Sequence, residues 1–195
     1  MYLEGDDLLT IGAYFLVAGT YISAIGATMK PDDNNFNKKL IRDGNGIQAV
    51  GNSLQGFGRI SLAEGNEEAG NLYGIVGSFT QAGGNSINTA ANNFEIQDPS
   101  VSVSGFNSLG STIQSMGAAL EAAGVANGEN NILSKLEALG YTLISLSAIL
   151  DAIGILIEDE ISIQKRLLLA AGGWGEFIGA ALGAYVIIQA AEETV

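Results

Sequence analysis

The chain has 195 residues, of which 47% are hydrophobic and only 15% charged, with a mean hydropathy of +0.28 and a formal charge of −13. That balance excludes the disordered class, and the sign of the charge disfavours nucleic acid and anionic membrane surfaces as partners. With no cysteine there are no disulfides or thiolate metal sites, and with no histidine the commonest general base and metal ligand is missing.

The first predicted element is a helix over about residues 6–29, with Gly12, Gly19 and Gly26 seven apart. Leu8–Met29 is 22 residues without a charge, long enough to cross a bilayer. Glu4, Asp6 and Asp7 stand where a secretory signal would carry a basic segment, so a cleaved signal is not expected and a cytoplasmic location is. Lys30, Pro31 and the run DDNNFN stop this helix.

The second helix, about 35–62, holds the clearest form of the pattern, GNGIQAVGNSLQGFGRISLAEG from Gly44 to Gly65. Glycine returns at Gly44, Gly51, Gly58 and Gly65, with a large apolar residue at +3 (Ile47, Leu54), a polar one at +4 (Gln48, Gln55) and an apolar one at +6 (Val50, Phe57). A seven-residue period belongs to a helix and not to a strand. Glycine inside a helix costs about 0.8–1 kcal/mol relative to alanine, and close approach of a neighbouring backbone is the compensating gain.

A third unit follows with Gly70, Gly77, Gly84 and Ala91 in the glycine position and Gln81 and Asn88 at +4. The segment FEIQDPSVSVSG, 94–105, reads as irregular, with Pro99 behind Asp98 as the start signal of the fourth helix. That unit has Gly110, Gly117 and Gly124 with Gln114 and Glu121 at +4, and NGENN ends it. The fifth has Gly140, Ser147 and Gly154 with Asp151 at +4; the sixth has Gly172, Gly179 and Val186 with Glu176 at +4. Six units at intervals of roughly 30 residues indicate a repeat protein. The expected fold is therefore all-α: about six antiparallel helices in one domain, 1–195, forming a helical bundle or a layered helical repeat.

The polar +4 residues admit two readings. Either they bond backbone carbonyls that glycine leaves uncovered on a neighbour, which is preferred because bare backbone must be satisfied, or they line a conduit or groove.

The octads GIQAVGNS, GSTIQSMG and GTYISAIG resemble those of a family of uncharacterised repetitive proteins from spore-forming Gram-positive bacteria, built on Gly-x-x-Ile/Leu-Gln-Ala-Ile-Gly. The likeness covers most of the chain; Ser147, Asp151, Glu176 and Phe177 depart from it. It implies a repetitive helical fold and brings no catalytic residues.

Chemistry is not concentrated anywhere. Asp32, Asn34 and Asp43 suggest a calcium loop, but Phe36 and Asn37 stand where an EF-hand needs a ligand and a glycine. There is no phosphate-loop Gly-Lys-Ser/Thr and no Gly-x-Ser-x-Gly. Asp151 and Glu176 would allow acid–base work if helices five and six brought them together, the plainer alternative being polar positions on two helices. Trp174 is expected in the core in preference to a membrane interface. No catalytic, cofactor or metal residues are assigned.

Two function classes remain. One is a non-enzymatic structural or interaction protein that associates with itself, as a homo-oligomer, or with another protein. The alternative is a membrane-active protein, pore-forming or holin-like, with Leu8–Met29, Leu139–Ile157 and Leu167–Ala191 inserted. Against insertion, Asp151 and Glu176 lie mid-segment, and helices two to four are rich in Asn, Gln, Ser and Glu.

Overall fold

The computed structural model describes residues 4–31, 34–63, 69–128, 130–158 and 162–193. They form six α-helices: α1 Gly5–Thr28, α2 Phe36–Leu62, α3 Ala69–Gln97, α4 Ser104–Ala126, α5 Ile132–Ile155 and α6 Ile163–Glu193. No strand occurs among the described residues. Each helix packs against the next in sequence, α6 packs against α1, and no other pair of helix backbones comes close. The result is a closed ring, so the hydrophobic first and last units meet each other.

The heptad glycines build this ring from three antiparallel hairpins. A Cβ placed on Gly12 would lie 2.7 Å from Gly51 O, and one on Gly51 would lie 2.8 Å from Gly12 O. The same reciprocal contact joins Gly19 to Gly44 (2.7 and 2.6 Å), Gly77 to Gly117 (2.7 and 2.6 Å), Gly84 to Gly110 (2.5 and 2.8 Å) and Gly140 to Gly179 (2.8 and 2.5 Å). Only a residue without a side chain lets each Cα–H reach the partner's carbonyl in this way. Contacts between hairpins rely more on side chains: the Phe79 ring covers Gly56 and stacks edge-on with Phe57 at 5.2 Å, and Ser108 Oγ donates to Ala152 O at 3.0 Å, although between α6 and α1 a Cβ on Gly173 would lie 2.9 Å from Ala24 Cα.

The helix ends follow local chemistry. Asp6 and Asp7 occupy the first turn of α1, where the helix dipole favours negative charge. Asn35 enters α2 at φ 54, a left-handed conformation that Asn tolerates, and Asn131 Oδ1 caps α5 by accepting from Ser134 N–H at 2.8 Å. Pro99 does not start α4, contrary to the sequence expectation. Residues 94–97 continue α3, and proline disfavours helix at the residue before it, so Asp98–Pro99 ends α3 and α4 begins only at Ser104. Asp98 Oδ1 accepts from the Ser100 N–H and hydroxyl at 3.1 and 2.6 Å, which holds its carboxyl below the usual carboxylate range.

Alternation of direction gives the ring two different ends. One holds the start of α1, the α2–α3 and α4–α5 connections and the end of α6; its sequence is rich in Asp and Glu, and we call it the acidic end. The other holds the remaining three connections and six of the eight Lys and Arg residues, Lys30, Lys38, Lys39, Arg42, Lys165 and Arg166, together with acidic residues that include Asp43, Glu95, Asp98 and Glu158; we call it the basic end for its cations, not for its net charge.

Candidate functional site

The ring is polar inside and apolar outside. Its largest fully buried side chains are Gln48, Gln55, Gln81, Glu121, Asn52, Asn85, Thr20 and Ser78, while the buried hydrophobic residues are mostly alanines. A small apolar cluster of Leu16, Ala118, Tyr141, Ile144 and Ala180 fills the side between α1, α4, α5 and α6. The division follows the heptad. Residues at +4 point inward across the partner's glycine, as Gln55 does over Gly12 and Gln48 over Gly19. Residues at +6 point out, including Val50, Phe57, Val76, Leu109, Met116, Leu146, Ile153, Ile178 and Tyr185.

Among the described residues the +4 carboxamides bond other polar side chains, and not the neighbouring backbone carbonyls that the preferred sequence reading gave them. Gln48 Nε2 donates to Ser23 Oγ at 3.3 Å, Gln114 Nε2 to Gln48 Oε1 at 3.5 Å and to Glu176 Oε1 at 2.9 Å, and Gln81 Nε2 to Glu121 Oε2 at 3.0 Å. The physical reason is that close glycine packing leaves the carbonyls covered by the partner helix, so the side chains turn to the axis. Several buried amide atoms, among them both of Asn52 and both of Asn85, have no protein partner among the described residues. Such atoms call for water in the interior.

Toward the acidic end the interior closes on Arg59. Its guanidinium donates to Glu121 Oε1 at 2.7 Å, to Tyr141 Oη at 2.5 Å and to Ser78 Oγ, and lies 3.9 Å from Glu137. Glu121 also accepts from the Ser78 hydroxyl. This knot ties α2, α3, α4 and α5 together, and a buried pair with this many hydrogen bonds is the arrangement that offsets desolvation.

Toward the basic end lies a cavity of about 390 Å³ touched by all six helices. Gln114 and Glu176, both nearly fully buried, line it together with Asp151, Asn37, Asn45, Asn88 and Asn107. The two carboxylates singled out in the sequence, Asp151 and Glu176, are thus brought to one cavity. Of the calcium-loop candidate, Asp32 falls outside the described residues, and Asp43, on α2, pairs with Arg42 at 2.7 Å. Among the described residues no group of three or more His, Cys, Asp or Glu is placed to hold a metal ion. Trp174 is not in the core. It is 38% exposed on the outer surface, where its Nε1 donates to Thr28 Oγ1 at 3.0 Å and its ring meets Tyr21 and Phe177.

The fold and interior define an all-α closed ring of six helices with a polar interior. Residues 7–184 match the model of a family of unknown function (DUF6944), and the chain belongs to that family. No curated protein and no solved structure matches it.

Proposed function

We propose that this is an integral membrane protein whose six helices cross the bilayer as a closed ring, and that it holds or passes small solutes along its polar axis and turns over no substrate. Its chief support is where charge lies. Arg59, Glu121, Asp151 and Glu176 all belong to the interior, whereas a charge at a lipid-facing bilayer centre would cost roughly 2.5–3.5 kcal/mol.

Most other outward polar groups within the helices are hydroxyls that lipid tolerates; an exception toward the basic end is Asp43 on α2, whose side chain is 55% exposed and pairs with Arg42 at 2.7 Å. Ser53, Thr80, Ser86, Thr112 and Thr142 each donate their hydroxyl to the carbonyl four residues back, at 2.7–2.8 Å. A hydroxyl satisfied on its own helix needs no water. Helices α1, α5 and α6 are long and apolar enough to cross a membrane by hydropathy alone. For α2, α3 and α4 most of the polar residues that lower hydropathy, among them Gln48, Gln55, Gln81, Asn85 and Gln114, face the axis, and Val50, Phe57, Val76, Leu109 and Met116 lie on the outward stripes. Helices of 23 to 31 residues are about 35–46 Å long at 1.5 Å per residue, more than a hydrocarbon core of about 30 Å. Glycine contacts at regular spacing are also how helices associate where no hydrophobic force acts between them.

The test is fractionation. The expressed protein should sediment with membranes, resist extraction at alkaline pH and need detergent for release. Recovery as a soluble species, monomeric or self-assembled through the apolar belt, would reject the membrane placement in favour of an association protein.

A further inference from the structure

We propose that the cavity at the basic end binds a small organic cation, a primary alkylamine in its ammonium form, with the ammonium between Asp151 and Glu176. Four carboxylates line this cavity, Glu95, Asp151, Glu158 and Glu176, against two ammonium groups, Lys38 and Lys165. Both lysines are engaged: Lys38 Nζ donates to Glu95 Oε1 at 3.0 Å and Lys165 Nζ to Ile157 O at 2.9 Å. Asp151 takes part in no hydrogen bond or ion pair among the described residues. Glu176, only 3% exposed, accepts from Gln114 alone.

A second feature points the same way. Asn37 is 8% exposed, lines the cavity, and its Oδ1 has no hydrogen-bond partner among the described residues. An unfilled acceptor in one cavity with carboxylates that no cation pairs among the described residues calls for a donor, and an ammonium supplies three N–H groups and a positive charge. Volume and wall chemistry separate an amine from a bare ion. A cavity of about 390 Å³ falls in the range of small-molecule sites, and Ile41, Val103, Ile155 and Leu169 give it an aliphatic side for a carbon chain. This assignment specifies the solute class of the interior proposed above and rests on that reading of the axis, but not on the lipid-facing surface. Membrane extraction and ligand binding therefore fail separately.

The experiment is calorimetric titration of the full chain, in uncharged detergent, with butylammonium and with 1-butanol. Butylammonium should bind at one site and 1-butanol should not. Asp151→Asn, which keeps the side-chain shape, should weaken binding at least about tenfold, as should Glu176→Gln, while Asp98→Asn on the outer turn should leave it unchanged. Absence of butylammonium binding, equal binding of the alcohol, or wild-type affinity in both cavity variants would each overturn the proposal. Should the cavity variants fail to fold, the comparison of amine with alcohol on the unaltered protein decides alone.

Discussion

Replacing Gly51 with alanine probes the contact on which the three hairpins depend. The new Cβ would lie 2.8 Å from Gly12 O, 2.9 Å from Leu16 N and 3.1 Å from Phe15 Cβ. Since a favourable C–H to oxygen contact sits at about 3.3–3.6 Å, α1 and α2 must part locally by roughly half an ångström, which also opens the reciprocal Gly12 contact. Overpacking of this kind costs about 1–3 kcal/mol, and alanine returns about 0.8–1 kcal/mol of helix propensity, leaving a net loss near 1 kcal/mol. Gly83, inside α3, has nothing within 4 Å of an added Cβ, so Gly83→Ala keeps the propensity gain and should stabilise by up to about 1 kcal/mol. Thermal unfolding of both variants in detergent, followed by helical circular dichroism, should place them on opposite sides of the parent. If Gly51→Ala is as stabilising as Gly83→Ala, the close-packing explanation of the glycine heptad is wrong.

A larger pair extends the same logic: Gly51→Leu should lower the melting temperature more than Gly128→Leu, because a Cβ on Gly128 meets only ordinary contacts of 3.4 Å or longer. Arg59→Met leaves Glu121 buried without its cation and should cost about 3–5 kcal/mol, whereas the double variant with Glu121→Met should recover most of it; a double variant no more stable than the single would contradict the pairing. Thr142→Val should change stability by less than about 0.5 kcal/mol in detergent, since that hydroxyl bonds only its own helix; a larger loss would mean that it serves another contact. Basic residues favour the cytoplasmic side, so in intact cells a membrane-impermeant thiol reagent should label Asn130→Cys at the acidic end and spare Ser100→Cys at the basic end, the reverse pattern meaning the opposite orientation.

Much of the architecture was legible because the seven-residue spacing is a direct record of helix geometry. Gly12, Gly51, Gly77 and Gly117 mark not only helices but the contact line within each hairpin. Closure into a ring was not legible, since it depends on how α1 and α6 meet, and the pattern permits a layered array equally well. The sidedness was present in the heptad: Gln48 and Gln55 at +4 and Val50 and Phe57 at +6 lie on different stripes, one buried and one exposed, a division that the polar composition of α2 as a whole does not display. Asp98–Pro99 misled for a local reason: proline is compatible with a helix start, but here its effect on the preceding residue dominates. The meeting of Asp151 and Glu176 follows from the antiparallel α5–α6 pairing, whereas the cavity they share needs all six helices and no sequence spacing encodes its volume.

Membrane placement of the three polar helices is the central claim, and the lack of native cysteine allows it to be tested with single cysteines. Val50→Cys on α2, Val76→Cys on α3 and Met116→Cys on α4 replace outward-facing residues, and Ser100→Cys replaces an exposed residue between helices. In inverted and right-side-out vesicles, the three mid-helix thiols should resist a water-soluble maleimide until detergent is added, while Ser100→Cys reacts in one vesicle orientation without it. Rapid labelling of the α2, α3 and α4 positions in the absence of detergent would show those faces open to water and contradict the account.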